Sequence, residues 1–220
     1  MSAEISLTPR QRAVVSVLPQ WCACVADIGC DHGKLGAYLL QTGRTERIIA
    51  ADISIPSLHK AEQLAETLGI SAGFSFRTGD GLSVLKPGEA QAVVIGGMGA
   101  FTIMRILEAA PELLAEVFVL QPMGHECSLR RWLLENGFFI SDDRVAQEGN
   151  RFYHILLVRR GRQNYTEREI YLPVHSLRCG SAEAFRFAQS RRDALKRILA
   201  YSTDREKTAE YRLLGEALDI

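Results

Sequence analysis

Short runs rich in β-branched residues alternate with helix-length amphipathic segments from residue 23 to about residue 136, and this alternation limits the fold more than any other feature of the chain. Strands are expected at 24–28, 48–52, 73–77, 92–95 and 117–121, and helices near 34–42, 56–68, 101–109 and 127–136. Strands separated by single helices read as βαβ units, which stack into a parallel sheet covered by helices on both faces. The connections are short, as such units require. Thr8-Pro9 supplies an N-cap followed by proline at the first helical position, so a further helix opens there and runs to about residue 18.

After residue 136 the pattern changes. Residues 138–145, a turn at Glu148-Gly149-Asn150 and residues 152–159 read as two consecutive strands joined as a hairpin. Five parallel strands closed by an antiparallel pair describe the Rossmann-like class I methyltransferase fold, an α/β sheet of seven strands. A dehydrogenase sheet keeps its sixth strand parallel. Beyond residue 160, apolar residues at helical spacing from Ala184 to Leu199 predict an amphipathic helix. Residues 1–160 are therefore expected to form the α/β domain, and residues 161–220 a short helical extension.

Composition narrows the setting. The 220 residues are 47% hydrophobic and 24% charged, enough to bury a core and unlike a disordered or fibrous chain. No apolar run reaches the ~18 residues that span a bilayer, and the first residues lack the layout of a secretory leader, so a cytoplasmic protein is expected. The five cysteines include only one close pair, Cys22-x-Cys24, too tight for a redox or zinc motif, so no metal site is expected. Net charge is zero, but residues 162–197 hold eight cations against four acids. That excess suits either a polyanionic partner or a solvated helix face. Only five of the 26 cations are lysines; arginine suits phosphate oxygens, although arginine richness also follows genomic base composition.

Open α/β sheets bind ligands beyond the carboxyl ends of their strands, so the loops there carry the chemistry. The first is Asp27-Ile28-Gly29-Cys30-Asp31-His32-Gly33. Its glycine spacing, D-x-G-x-x-x-G, is not the G-x-G-x-x-G that cradles a pyrophosphate. An acidic residue at the strand end instead suits the ammonium of S-adenosylmethionine, with the glycines permitting close backbone approach. Asp52 closes the second strand, where a carboxylate can accept both ribose hydroxyl protons of a nucleoside, a use shared by NAD enzymes and methyltransferases. Asp80, in Thr78-Gly79-Asp80-Gly81-Leu82, stands where methyltransferases commonly meet the adenine amino group, although Gly79-Asp80-Gly81 also suits a tight turn. Gly96-Gly97-Met98-Gly99-Ala100 is expected as a loop after the fourth strand, approached closely by something, and Leu120-Gln121-Pro122-Met123 ends the fifth. No Asn/Asp-Pro-Pro-aromatic loop follows the fourth strand, which argues against methylation of an exocyclic amine.

Taken in order, Asp27-Ile28-Gly29-Cys30-Asp31-His32-Gly33, Gly79-Asp80-Gly81-Leu82, Gly96-Gly97-Met98-Gly99-Ala100 and Leu120-Gln121-Pro122 resemble the pattern of the bacterial tRNA (adenine-22-N1)-methyltransferases, over about residues 7 to 160. Leu129-Arg130-Arg131-Trp132-Leu133 also fits, and Tyr153-His154-Ile155 sits where that family has Tyr-Glu-Ile. Departures are Gly33-Lys34-Leu35-Gly36 for Ala-Tyr-Leu-Pro, Gly96 for Ala and Ala100 for Gly, and the family's helical C-terminal part looks abbreviated. The resemblance implies S-adenosylmethionine as methyl donor and tRNA as partner. It places Asp27, Gly29, His32, Asp52, Ile53, Asp80, Gly81, Gly96 and Met98 at the cofactor, with Asp31 and Gln121 as candidate catalytic residues. Asp31 would stabilise the cation formed on the purine, Gln121 would hydrogen-bond the base, and the basic tail would hold tRNA phosphates. The residues alone leave open a methyltransferase acting on another RNA base or a small molecule, a non-catalytic nucleotide- or RNA-binding module, and an NAD-linked oxidoreductase.

Overall fold

The structure is a computed structural model that describes residues 5–110, 112 and 115–219. Seven strands form one sheet: β1 (Cys22–Ile28), β2 (Thr45–Asp52), β3 (Phe74–Thr78), β4 (Ala92–Met98), β5 (Val117–Pro122), β6 (Phe138–Glu148) and β7 (Arg151–Arg160). Their order is β3-β2-β1-β4-β5-β7-β6. The pairings among β1 to β5 are parallel, and β7 is antiparallel to both β5 and β6. The closing hairpin is therefore present, and its strands reach Glu148 and Arg151 across the turn at Gly149, whose φ is +57°.

The sheet's two faces follow from strand alternation. Ala26, Ile28, Val93, Ile95, Phe118 and Leu120 point to one face. There they meet α4 (Ala100–Glu108) and α5 (Glu126–Glu135) through Ile103, Leu107, Leu129 and Leu133. Val25, Ile48, Val94, Val119 and Ile155 point to the other face, against α1 (Pro9–Val17), α2 (Lys34–Gln41) and α3 (Ile55–Leu68). Each fully buried Ile, Leu or Phe contributes about 1.5–3 kcal/mol of apolar burial, which is why these runs are almost continuously hydrophobic.

The first helix starts as its residues dictate. The Thr8 hydroxyl accepts the Gln11 N–H, the Gln11 side chain accepts the Thr8 N–H at 3.1 Å, and Pro9 occupies the first turn. After β7 come α6 (Glu167–Tyr171), α7 (Val174–Arg178), α8 (Ala182–Leu199) and α9 (Arg205–Leu218). They share a small core of Ile170, Leu172, Leu195, Leu213 and Leu214 that also takes in Leu134 of α5. The basic tail is consequently less basic than its first half suggests: α9 brings Glu210 onto Arg191 at 2.6 Å and Glu216 to 3.5 Å from Arg168. Among the described residues no helix is long and apolar enough to cross a membrane.

Candidate active site

The chain reverses its direction of strand addition between β1 and β4, and this switch point is where an open α/β sheet leaves a crevice. β1 pairs with β4 only up to Ile28 and Ile95, while β4 continues alongside β5 to Met98. The two strands part there. The resulting cleft, about 320 Å³, is lined by Asp27, Gly29, Cys30 and Asp31 from the end of β1 and the loop after it. Gly96 and Gly97 line it from β4, Gln121 from β5, and Arg10, Gln11 and Val14 from α1.

Asp27 sits at the floor. Its side chain is buried, with 6% exposure for the residue, and it makes no hydrogen bond within the described residues. Burial first, then the neighbouring charges of Asp52 and Asp31, push its carboxyl up to about 7. A carboxyl so placed lacks a cation. The loop above it coils tightly, with Gly29, Asp31 and Gly33 all left-handed at φ +75°, +49° and +66°. The N–H groups of Gly29 and Cys30 both reach the Ala51 carbonyl, at 2.8 and 3.1 Å. Asp31 is not a glycine and holds this conformation at some cost. Its N–H donates to Asp52 Oδ2 at 3.2 Å, while its exposed carboxylate lies 3.5 Å from His32. Asp52 is thereby tied to the loop, and its other oxygen accepts the Ser54 N–H at 2.9 Å.

The glycine-rich segment corrects the expectation of a loop. Gly96 and Gly97 belong to β4, and the ladder to β5 shifts register between Gly96 and Met98. Gly97 is the bulged residue, with φ +73°, and its N–H donates to Gln121 Oε1 at 3.0 Å. No protein atom crowds these positions: a side-chain carbon at Gly97 would meet nothing within 4 Å, and one at Gly96 only Gln121 at ordinary contact distance. The space beside them is the cleft itself. Two other glycines have reasons inside the protein. A side-chain carbon at Gly29 would lie 2.3 Å from Met98 Cε, and one at Gly33 would lie 2.8 Å from the Ala61 methyl of α3. Close helix packing, not a ligand, requires Gly33.

Of the remaining site candidates only Gln121 lines the cleft. Gln121 is buried and both ends of its amide are engaged: besides Gly97, its Nε2 donates to the Pro122 carbonyl at 2.7 Å. Its side chain is thus committed to shaping the β4–β5 edge, where a free hydrogen bond to a base had been expected. Asp80 is exposed and gripped by the Arg105 guanidinium of α4 at 2.9 and 3.2 Å, which lowers its pKa. Gly81 is buried against Ile106, Ile53 is 72% exposed, and His32 stands 3.3 Å from the Lys60 amine. None of these four residues lines the cleft, and neither does Asp52 or Met98.

Sequence reasoning missed Arg10. Its guanidinium lies 3.4 Å from both Gln121 Oε1 and Met123 Sδ and 5.1 Å from the centre of the Tyr153 ring, and its N–H donates to Glu148 Oε1 at 3.0 Å. One signal was available: a cation in the first turn of a helix opposes the helix dipole and needs a reason to be there. Where α1 docks was not legible.

A family model described as a methyltransferase domain matches residues 7–156, more than half of the chain. The chain belongs to the methyltransferase-domain family. Its relatives include the tRNA (adenine(22)-N(1))-methyltransferase of Bacillus subtilis, 34% identical over 160 residues, which cover 72% of this chain and 67% of that protein. The crystal structure of the B. subtilis m1A22 tRNA methyltransferase superposes with a TM-score of 0.75 at 26% identity, covering 98% of this methyltransferase and 97% of that chain. A Streptococcus pneumoniae protein described as a candidate tRNA (m1A22) methyltransferase, crystallised in complex with S-adenosyl-L-methionine, superposes with a TM-score of 0.86 at 25% identity. That match covers 97% of this methyltransferase and 100% of that chain.

Proposed function

We propose that this chain transfers a methyl group from S-adenosyl-L-methionine to N1 of adenine 22 in tRNA, in the cytoplasm, with residues 1–160 as the catalytic domain and 161–220 as a helical extension. The observation that carries the reading is the buried Asp27 carboxyl, surrounded by Asp31 and Asp52 and facing the cleft without a cation. Such a floor rejects a pyrophosphate and accepts an ammonium. The bare backbone of 96–97 leaves room for a ligand that lies along β4. Relatives named for this reaction, and one of them bound to this donor, support the same reading.

On this reading Asp27 pairs with the donor's ammonium, Gly29, Gly96 and Gly97 let it lie against backbone, and Asp52, tied to the loop after β1 through the Asp31 N–H, accepts the ribose hydroxyls, with the exposed Ile53 beside it. His32 lies beside Asp31 and Met98 packs against Gly29, and Asp80 with Gly81 meets the adenine end only if Arg105 shares its carboxylate. The bound donor supplies an electrophilic methyl group on a sulfonium. Adenine N1 has an in-plane lone pair and no proton to lose, so no general base is required. The chain must instead hold an unpaired base in line and offer negative charge to the methylated purine. Asp31, exposed at the cleft rim, has the charge for that task. Gln121 acts as a positioning residue through Gly97.

The test is methyl transfer to unmodified tRNA followed by nucleoside analysis. The expected product is 1-methyladenosine at position 22, lost when that adenine is replaced by guanine. Methylation elsewhere in the RNA, or none with the donor bound, would overturn the reading.

A further inference from the structure

A second cavity of about 380 Å³ opens beside the cleft, between the turn at 122–124, Glu126 of α5 and the 151–154 end of β7. Arg10 of the cleft lining links the two: its guanidinium lies 3.4 Å from Gln121 Oε1 in the cleft, and 3.4 Å from Met123 Sδ and 5.1 Å from the centre of the Tyr153 ring in the second cavity. His154 lines this cavity with 4% exposure, and neither of its ring nitrogens has a hydrogen-bond partner among the described residues. Its ring is held edge to face against Phe187 of α8, with centroids 4.4 Å apart and planes at 82°.

We infer that this second cavity is the pocket for the target adenine, with His154 and Glu126 as its recognition groups. The inference rests on the function proposed above. Buried polar atoms in folded proteins find partners, and two unmet nitrogens on one ring, each closed to solvent, mark a side chain that meets its partner by turning toward the cavity it lines. Burial pushes the imidazole down to about 4, so at neutral pH the ring carries one donor and one acceptor. Glu126 opens α5, where the helix dipole favours its carboxylate form. An adenine amino group donates to that carboxylate while N7 accepts from the imidazole N–H, which leaves the N1 lone pair free to react. Guanine would turn its carbonyl oxygen toward Glu126 and be repelled. Arg151 is exposed at the cavity mouth, where a phosphate arrives.

The first test follows the ring nitrogens of His154 by NMR in the full chain, saturated with S-adenosylhomocysteine and titrated with adenosine 5′-monophosphate. The His154 signals should move, and guanosine 5′-monophosphate should need about tenfold higher concentration or more, the scale of one buried polar group left unsatisfied. Signals that stay still at millimolar nucleotide overturn the inference. The second test compares His154→Leu and His154→Gln. His154→Leu removes unmet polar atoms, so its melting temperature should rise and S-adenosylhomocysteine affinity should hold, while KM for tRNA rises about tenfold or more. His154→Gln should recover part of that loss. An unchanged KM in His154→Leu means a packing or water-filled cavity and overturns the inference. If wild-type protein shows the adenine-dependent shift yet methylates no tRNA, the proposed substrate falls and the adenine pocket stands.

Discussion

At the scale of single residues, Asp27 couples ligand binding to pH. Its carboxyl must be ionised to pair with an ammonium, and its folded-state pKa is about 7. Donor affinity should therefore climb as pH rises through 7 and level off above it, being about tenfold weaker at pH 6 than at pH 8 by calorimetry. The same shift works against the fold. Folded protein keeps a proton that the unfolded chain, near the ordinary value of 3.8, releases, so ligand-free stability falls as pH rises from about 4 to 7. Asp27→Asn should raise the melting temperature at pH 8, recovering on the order of a few kcal/mol, while weakening donor binding and flattening its pH profile. Gln121→Ala has the opposite signature: donor affinity is largely kept, transfer slows, and stability drops by about 1–3 kcal/mol because the Gly97 N–H loses its acceptor.

At the scale of elements, a buried ion pair joins the C-terminal helices to the sheet. Arg130 of α5 and Asp143 of β6 lie 3.2 Å apart, 2% and 0% exposed, and Asp143 also accepts the Ser176 N–H of α7 at 2.9 Å. Arg130 reaches on to the Glu169 carbonyl of α6 at 3.3 Å. Arg130→Met should cost about 3–5 kcal/mol by leaving Asp143 buried without its paired cation, whereas Arg130→Met with Asp143→Leu should recover most of it; chemical denaturation of the three proteins decides. This scale also shows how far the sequence could be read. The succession of strands, the hairpin and the helices between strands were legible because continuous apolar runs and 3.6-residue spacing are local signals; the order of the strands across the sheet is not a local property. The helices α6 and α7 were not, since five residues each are too few to show a period. α9 was missed although Asp204 caps it and Ala209, Leu213, Leu214 and Ala217 keep helical spacing. At the site, Asp27 and Asp52 could be read from their strand ends, but Arg10, the grip of Arg105 on Asp80 and the commitment of Gln121 depend on how separate elements dock.

At the scale of the whole molecule, the helical extension carries eleven cations and nine acids over residues 161–220, an excess of only two, because residues 198–220 bring five acids against three cations. Its exposed cations include Arg178, Lys196 and Arg197. Replacing Lys196 and Arg197 by serine should raise KM for tRNA a few-fold and reduce the salt slope of binding by up to about 2, the count of phosphate contacts removed. Deleting the extension would be a poorer test, because it would strip Leu134 and the Arg130–Asp143 pair of their cover. The bulge at β4 has a consequence of another kind. Gly96 and Gly97 are neighbours and neither is crowded, Gly96 meeting Gln121 only at ordinary contact distance, yet only Gly97 has a left-handed backbone. A saturation library selected for folding should accept alanine or serine at 96 and return almost nothing but glycine, with some asparagine, at 97. Two adjacent identical letters would then carry very different tolerances, one set by steric room and the other by chirality.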